Sequence, residues 1–190
     1  MRHGPSEKSG GPLPYPSGTL TRMDIAIRAA RPAEYEPLGE ITAQAYLQDD
    51  LLTFGESDWY LGELRDVAKR AALADVLVAV DGDRLLGGVT FVASGAHMAE
   101  RATPSEAEIR MLAVDRAARG RGAGEALVRA CVDRARATDG CTGIVLSTQP
   151  IMRAAHRIYE RLGFVRDPER DWNPIPDAGD FVLLTYQLTF

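Results

Sequence analysis

The chain has 190 residues, of which 45% are hydrophobic and 26% are charged, so it is long enough to bury one sizeable core. Its formal net charge of -5 argues against a duplex nucleic-acid binder, because such proteins need a basic surface that neutralises phosphates. Its two cysteines, Cys131 and Cys141, lie outside any C-x-x-C or Cys/His cluster, which predicts free thiols in a reducing compartment and argues against a disulfide framework or a metal site.

The first 23 residues differ in composition from the rest. They are rich in Gly, Pro and Ser and have little to bury, which predicts a disordered tail over residues 1–23 followed by one domain over residues 24–190. The tail lacks the charged, apolar and small-residue order of a secretory signal, and no stretch of the chain is apolar for long enough to span a membrane. We therefore expect a soluble, cytoplasmic protein with no membrane partner.

Downstream of Asp24, apolar spacing predicts seven strands and four helices. An Asp-Gly-Asp turn at 81–83 joins two apolar runs as a β-hairpin, Pro32 is typical of a helix start, and Gly163 of a helix end. In chain order the elements are a strand at 25–27, helices at 32–47 and 58–72, strands at 75–81, 85–92 and 107–114, a helix at 122–137, a strand at 143–147, a helix at 150–162, and strands from 164 and at 181–190. This order, βααβββαβαββ, indicates an α/β or α+β domain around one sheet.

The segment RGRGAG at 119–124, which we name the glycine loop, joins a predicted strand to a predicted helix. Backbone N–H groups at a helix start, unshielded by side chains and backed by the helix dipole, form a site suited to phosphate. A P-loop is excluded because Gly124 is followed by Glu125 and Ala126 instead of Lys and a hydroxyl residue. A Rossmann turn fits poorly, because its glycines follow a G-x-G-x-x-G pattern behind the first strand, whereas here they fall as G-x-G-x-G after the fourth predicted strand. The remaining alternative is a tight turn without a ligand.

Two sequence motifs, one at the glycine loop and one downstream of it, point to one family. The glycine loop matches Q/R-x-x-G-x-G/A, and the segment from Ala155 to Phe164 matches A-x-x-x-Y-x-x-x-G-F. In both motifs the chain resembles the GNAT superfamily of N-acetyltransferases, over roughly residues 24–190. The resemblance implies a mixed, mostly antiparallel central sheet with helices on both faces. It also implies acetyl-CoA as cosubstrate, with no metal.

The resemblance assigns cofactor contacts to the predicted strand and the glycine loop. The strand would carry a bulge and part from its neighbour, so that the Val114 backbone bonds pantetheine and the Leu112 N–H points at the thioester carbonyl. The glycine loop would wrap the pyrophosphate. The implied cofactor-binding residues are Leu112, Ala113, Val114, Arg119, Gly120, Arg121, Gly122, Ala123, Gly124 and Tyr159.

Leu112, Glu108 and Tyr159 are the catalytic residues that the resemblance implies. Glu108 would remove the proton of the amine, directly or through water, unless it is a solvated carboxylate or a partner of Arg110. Tyr159 would protonate the leaving thiolate, and the alternative is an aromatic that only anchors its helix. His156 is another candidate base, although its position predicts an exposed helix histidine.

Two positions depart from the family pattern. Met152 stands where many members have Asn, and Arg116 stands where many have Pro. A polar contact to the cofactor arm is therefore missing at Met152, whereas the glycine loop is intact.

The acceptor is the least constrained part of the sequence prediction. Two loops that usually border the acceptor site in this family carry carboxylates beside aromatic rings, which suits a cationic amine, although acidic loops are also simply solvated. The residues are Asp49, Asp50, Phe54, Glu56, Asp58, Trp59 and Tyr60 in one loop, and Asp171, Trp172 and Asn173 in the other. We predict an N-acetyltransferase that acts by direct attack of a primary amine in a ternary complex. The alternative function is that of a non-catalytic acyl-CoA sensor or complex subunit. Because dimers are frequent in the family, the resemblance also allows a homodimer.

Overall fold

The computed structural model describes Met1 and residues 24–176 and 181–190. Apart from Met1, the predicted tail over residues 1–23 lies outside the described residues. The strands are β1 (Ile25–Ala29), β2 (Asp75–Asp81), β3 (Arg84–Val92), β4 (Glu106–Val114), β5 (Gly143–Thr148), β6 (Val165–Arg166) and β7 (Leu184–Thr189). The α-helices are α1 (Tyr35–Gln48), α2 (Tyr60–Arg65), α3 (Val67–Leu73), α4 (Ala123–Arg136) and α5 (Arg153–Arg161).

The strands form one sheet in the order β1-β2-β3-β4-β5-β7-β6. Neighbouring strands are antiparallel except for β4 and β5, which run parallel. Alternate residues of β2 face opposite sides, because successive side chains of a strand point to opposite faces. Leu77 packs in the cluster that contains α4, whereas Val78 packs with Leu38 of α1 and Val67 of α3. The predicted mixed, mostly antiparallel sheet with helices on both faces is confirmed.

The predicted helix over 58–72 is wrong, because the chain forms two helices there. The break lies at Asp66, whose backbone leaves the helical region at φ -79°, ψ 69° and whose side chain accepts the Lys69 N–H as the N-cap of α3. Arg70 stabilises the break, since its buried guanidinium donates to the carbonyl oxygens of Glu63 and Leu64 at the end of α2. Local capping therefore overrides the continuous apolar spacing of this segment.

Two other predicted boundaries differ from the structure. The helix predicted from residue 150 begins at Arg153, because Met152 has non-helical dihedral angles. The strand predicted over 181–190 begins at Leu184, and residues 181–183 form only a bridge, between Leu183 and Trp172.

A β-bulge shapes the middle of the sheet. Gly88 and Thr90 of β3 pair with Ala113 and Arg110 of β4, so β4 holds one extra residue between these pairs. Met111 lies in this bulge with a φ of 51°. The parallel pairing of β4 with β5 ends at Ile109, so among the described residues the second half of β4 has no strand partner on that side.

Candidate active site

A cleft of about 840 Å³, which we name the large cleft, lies between the second half of β4, the glycine loop and α5. It begins where β4 parts from β5. Eight of the ten predicted cofactor residues line it, namely Leu112, Ala113, Val114, Arg119, Gly120, Gly122, Ala123 and Gly124. The structure thus brings the predicted strand and loop residues together on one concave surface.

The glycine loop presents bare backbone to the large cleft. Gly120 and Gly122 have φ angles of 75° and 94°, in the left-handed region that favours glycine. The first hydrogen bond of α4 runs from the Ala126 N–H to the Gly122 carbonyl, and no side chain of a described residue caps the helix. Within the described part of the chain, the N–H groups of Ala123 and Gly124 therefore have no partner, and a ligand with anionic oxygens can accept from them.

The two arginines of the glycine loop differ in position. Arg119 lines the large cleft, where its Nε lies 3.2 Å from the Val114 carbonyl oxygen and its Nη1 2.8 Å from Asp49 Oδ1 at the end of α1. Arg119 thus fixes the loop to β4 and α1. Arg121 is exposed and does not line the large cleft.

A row of three arginines on α5 faces the same cleft, and sequence reasoning missed it. Arg153, Arg157 and Arg161 are spaced by four residues, which places them on one side of the helix. The charged residues that line the large cleft are these three, Arg119, and the carboxylates Asp49 and Glu125. The cleft wall is therefore net positive although the whole chain carries -5, and the four-residue spacing was the signal that could have identified it.

A second cavity of about 270 Å³, which we name the aromatic cavity, adjoins the large cleft. Tyr46, Leu51 and Met152 line both spaces, so the two meet at these residues. The aromatic cavity is lined by Tyr46, Leu51, Leu52, Thr53, Asp58, Trp59, Tyr60, Glu100, Arg110, Thr148, Gln149, Met152, Trp172, Pro174, Ile175, Phe181 and Leu183. A molecule in one space can therefore meet a molecule in the other at the junction.

Only part of the predicted acceptor set lines the aromatic cavity. Asp58, Trp59, Tyr60 and Trp172 do so, and Asp49 lines the large cleft instead. The remaining residues, Asp50, Phe54, Glu56, Asp171 and Asn173, line neither space. Sequence reasoning missed Arg110, Thr148 and Gln149, because they reach the cavity only through the sheet topology.

Tyr159 lies in the main core and is 3% exposed. Its ring packs against Phe164 and Tyr186, with centroids 6.0 and 5.9 Å away, and it lines neither the large cleft nor the aromatic cavity. Burial raises the pKa of the hydroxyl above its ordinary range, so the phenol stays protonated at neutral pH. The hydroxyl makes no hydrogen bond with any described residue, so its proton is not committed to a protein partner.

Glu108 is buried in the middle of the sheet, with 2% of its surface exposed. Its Oε2 accepts the backbone N–H groups of Glu100, Arg101 and Ala102 at 2.8, 2.9 and 3.2 Å. Arg110 pairs with Glu100 instead. Glu108 is therefore neither the solvated carboxylate nor the direct partner of Arg110 that the sequence allowed, and it lines neither space.

His156 is half-buried, in contrast to the exposed helix histidine that its position predicted. Its ring contacts residues at the end of β5. Its Nε2 lies 3.3 Å from Thr148 Oγ1 and 3.1 Å from the Gln149 carbonyl oxygen. Burial lowers the pKa of the imidazole, the bond to Gln149 opposes this, and the charges of Glu160 and Arg166 raise and lower it respectively. The net shift is downward, and the ring of Tyr186 on β7 packs 5.4 Å away.

Comparison with known families decides the identity of this arrangement. The family model described as the acetyltransferase (GNAT) family matches residues 38–164, which is more than half of the chain. The chain belongs to the GNAT acetyltransferase family. No curated protein matches this GNAT chain.

Solved structures share the GNAT fold with the chain at low sequence identity. A ribosomal-protein-alanine N-acetyltransferase from Brucella melitensis is 18% identical, with a TM-score of 0.66 over 87% of this chain and 99% of the other. NAA60 from Arabidopsis thaliana in complex with a bisubstrate analogue is 20% identical, with a TM-score of 0.65 over 87% and 97%. A GNAT family acetyltransferase from Brucella melitensis in complex with acetyl-CoA is 22% identical, with a TM-score of 0.57 over 88% and 89%.

The two departures from the GNAT pattern have different surroundings. Met152 lies at the junction of the large cleft and the aromatic cavity, where its Sδ is 3.4 Å from Thr148 Oγ1. Arg116 is exposed in a short 3-10 turn before the glycine loop and lines neither space.

Neither a membrane span nor a metal site is found in the described parts of the GNAT domain. Across residues 24–176 and 181–190, no helix has the length and apolar character that a membrane crossing requires. Over the same ranges, no group of three or more His, Cys, Asp or Glu side chains could hold a metal ion. The two cysteines are free; burial raises the pKa of the Cys131 thiol to about 12, which keeps it protonated.

Proposed function

We propose that the chain is an acetyl-CoA-dependent N-acetyltransferase that transfers an acetyl group to a primary amine by direct attack in a ternary complex. The observation that carries the proposal is the junction of two spaces, one suited to a phosphorylated donor and one to an acceptor. Tyr46, Leu51 and Met152 mark this junction.

The residues of the large cleft fit acetyl-CoA. The N–H groups of Ala123 and Gly124 at the start of α4 suit a pyrophosphate, and Arg119 and the α5 arginines add positive charge. The second half of β4, from Met111 to Val114, is not paired with β5, and on that side it offers backbone groups to an extended pantetheine arm. Bound acetyl-CoA would supply an acetyl group activated as a thioester.

The acceptor amine must lose a proton, because an amine with a pKa near ~10.4 is almost wholly protonated at neutral pH. Glu108 is a weak candidate for this step, since its Oε2 already accepts three backbone N–H groups and the residue lines neither space. We propose that the proton leaves through the Thr148 hydroxyl to His156. Thr148 lines the aromatic cavity, its hydroxyl meets His156 Nε2, and the lowered pKa of the imidazole leaves that ring neutral near pH 7.

Two neighbours suit His156 Nε2 to this role. In the tautomer that carries its proton on Nδ1, Nε2 can accept from the Thr148 hydroxyl, and once the ring is protonated Nε2 can donate to the Gln149 carbonyl. Tyr159 is the proton donor to the leaving sulfur that the family resemblance names. Its phenol is protonated and its hydroxyl has no partner among the described residues, but like Glu108 it lines neither space.

Turnover of acetyl-CoA with a panel of amines tests the proposed function. Purified protein should release coenzyme A thiol at a rate that saturates with at least one amine, and mass spectrometry should find the acetylated amine. Tight binding of acetyl-CoA without thiol release for any amine would favour the non-catalytic sensor instead.

A charge variant tests the donor site separately. We expect Arg157→Ala to weaken acetyl-CoA binding about tenfold, since removal of one charge-assisted contact costs about 1.5 kcal/mol. Arg134→Ala is the matched control, because Arg134 is an exposed arginine that pairs with Asp75 away from the cleft. Equal affinities of the two variants in calorimetry would argue against phosphate binding along α5.

A further inference from the structure

The lining of the aromatic cavity is dominated by apolar side chains. Trp59, Tyr60, Tyr46, Trp172 and Phe181 present rings to it, and aliphatic side chains fill much of the remaining wall. Trp59 is 63% exposed although it lines the cavity, so most of its ring surface is available for contact with a ligand. Trp172 is fixed by a 3.0 Å hydrogen bond from its Nε1 to Ser147 Oγ. The cavity therefore combines a fixed aromatic wall with an open aromatic rim.

Each charged group that lines the aromatic cavity already has a protein partner. Both carboxylate oxygens of Asp58 accept backbone N–H groups of its own loop, from Phe54 and Tyr60 at 3.2 and 2.9 Å. Arg110 donates to Glu100 and to the Met98 carbonyl. Arg110 and Glu100 are thus paired with each other and Asp58 is bonded to its own loop, so a second charge on a ligand would share or displace existing bonds.

The carboxylates that favoured a cationic acceptor at the sequence level are similarly engaged. Asp49 pairs with Arg119 at 2.8 Å on the side of the large cleft, and Asp171 pairs with Arg166 through both oxygens. Neither lines the aromatic cavity. Attraction of a polycation by these side chains is therefore weaker than their number in the sequence suggests.

We propose that the acceptor is a small primary amine that carries one compact apolar group, best an aromatic ring, on a short arm and has no second charge. This inference rests on the proposed function, because it names the substrate class for the same site. The amino group would lie at the junction near Met152 and Thr148, and the ring between Trp59 and Trp172. The cavity volume of about 270 Å³ equals that of about nine waters at roughly 30 Å³ each. An aromatic ring with a two-carbon arm and a nitrogen has about the same number of non-hydrogen atoms, which sets the expected size.

The chain provides its own binding probe, because its two tryptophans both line this cavity. We would titrate the protein, saturated with coenzyme A, with 2-phenylethylamine and with spermidine and record the tryptophan fluorescence. The proposal expects a saturable change with 2-phenylethylamine and an at least tenfold weaker response to spermidine. Tighter binding of spermidine, or no saturable response to 2-phenylethylamine, would overturn it.

Two matched variants locate the bound ring. Trp59→Ala should weaken binding of 2-phenylethylamine at least tenfold, followed through Trp172 fluorescence, because it removes an exposed ring from the cavity rim. Phe54→Ala should leave the affinity unchanged, since Phe54 is 55% exposed in the same loop but does not line the cavity. An equal effect of the two variants would contradict the assigned position.

Turnover with the same two amines separates this inference from the proposed function. Acetylation of spermidine but not of 2-phenylethylamine would refute the apolar acceptor while the chain remained an N-acetyltransferase. Saturable binding of 2-phenylethylamine without thiol release from acetyl-CoA with any amine would support the cavity assignment and refute the proposed function.

Discussion

Replacement of Glu108 by Gln separates a structural from a catalytic role of this carboxylate. Gln keeps the size of the side chain and one acceptor oxygen but removes the charge. In the structure Glu108 Oε2 gathers three backbone N–H groups from residues 100–102, and the same loop places Glu100 against Arg110 in the wall of the aromatic cavity. We therefore expect Glu108→Gln to destabilise this loop more than it lowers the rate of the chemical step.

The size of the effect follows from the three bonds. A hydrogen bond to a charged group contributes about 1.5–3 kcal/mol and a neutral one about 0.5–1.5, so loss of the charge costs about 1 kcal/mol for each bond. With three bonds to Oε2, the free energy of unfolding should fall by about 3 kcal/mol. A typical domain has about 5–15 kcal/mol of stability, so the variant should still fold.

Urea unfolding together with steady-state kinetics gives the decisive readout. We expect the unfolding midpoint to fall, KM for the acceptor to rise several-fold and kcat to change less than tenfold. Glu36→Gln, an exposed change on α1, is the control and should stay within about 0.5 kcal/mol of the parent. An unchanged free energy of unfolding with a kcat reduced about a hundredfold would refute the structural assignment and identify Glu108 as the base.

Three further predictions test the remaining assignments. Tyr159→Phe should lower kcat at least tenfold while the free energy of unfolding changes by less than about 1 kcal/mol, because the hydroxyl has no partner to lose among the described residues. An unchanged kcat would remove Tyr159 from the mechanism. In the proposed proton transfer through Thr148, the neutral form of His156 is the base, and burial lowers its pKa from 6.5, so kcat/KM should fall as the pH drops through a value below 6.5. His156→Asn and Thr148→Val should lose this fall in kcat/KM, whereas Thr148→Ser should keep it. A fall that survives in both His156→Asn and Thr148→Val would exclude the transfer through these residues. Gly122→Ala puts a side chain on a backbone with φ 94° and open space around it. Strain of about 1–2 kcal/mol should shift the free loop away from the conformation that presents the Ala123 and Gly124 N–H groups, and so weaken acetyl-CoA binding about tenfold in calorimetry. Gly82→Ala has a comparable φ of 56° in the hairpin turn, and an equal loss of affinity in this control would refute the local effect.

Local sequence patterns predicted the elements whose residues interact with near neighbours. The hairpin of β2 and β3 and helix α4 lie within one residue of their predicted bounds, because a turn and a regular apolar period define them. The break between α2 and α3 escaped prediction. It depends on the buried guanidinium of Arg70, whose contacts with the carbonyls of Glu63 and Leu64 no periodicity reveals.

The two halves of the candidate site also differ in how far local sequence patterns predict them. The glycine loop is contiguous in sequence, so its residues could be predicted together and eight of the ten predicted cofactor residues line one cleft. The aromatic cavity draws Tyr46 from α1, Arg110 from β4, Thr148 from β5 and Trp172 from a later loop. These residues come together only because the sheet order places their elements side by side. Local sequence patterns do not reveal that order.

The position of β7 between β5 and β6 has a consequence for how the chain folds. β6 pairs only with β7, and β7 also covers the edge of β5, so neither contact can form until β7 has been synthesised. Until then β5 would present an open edge, which is a template for pairing with other chains. We therefore expect a chain cut after residue 183 to aggregate during expression, even though it retains the whole glycine loop and α5.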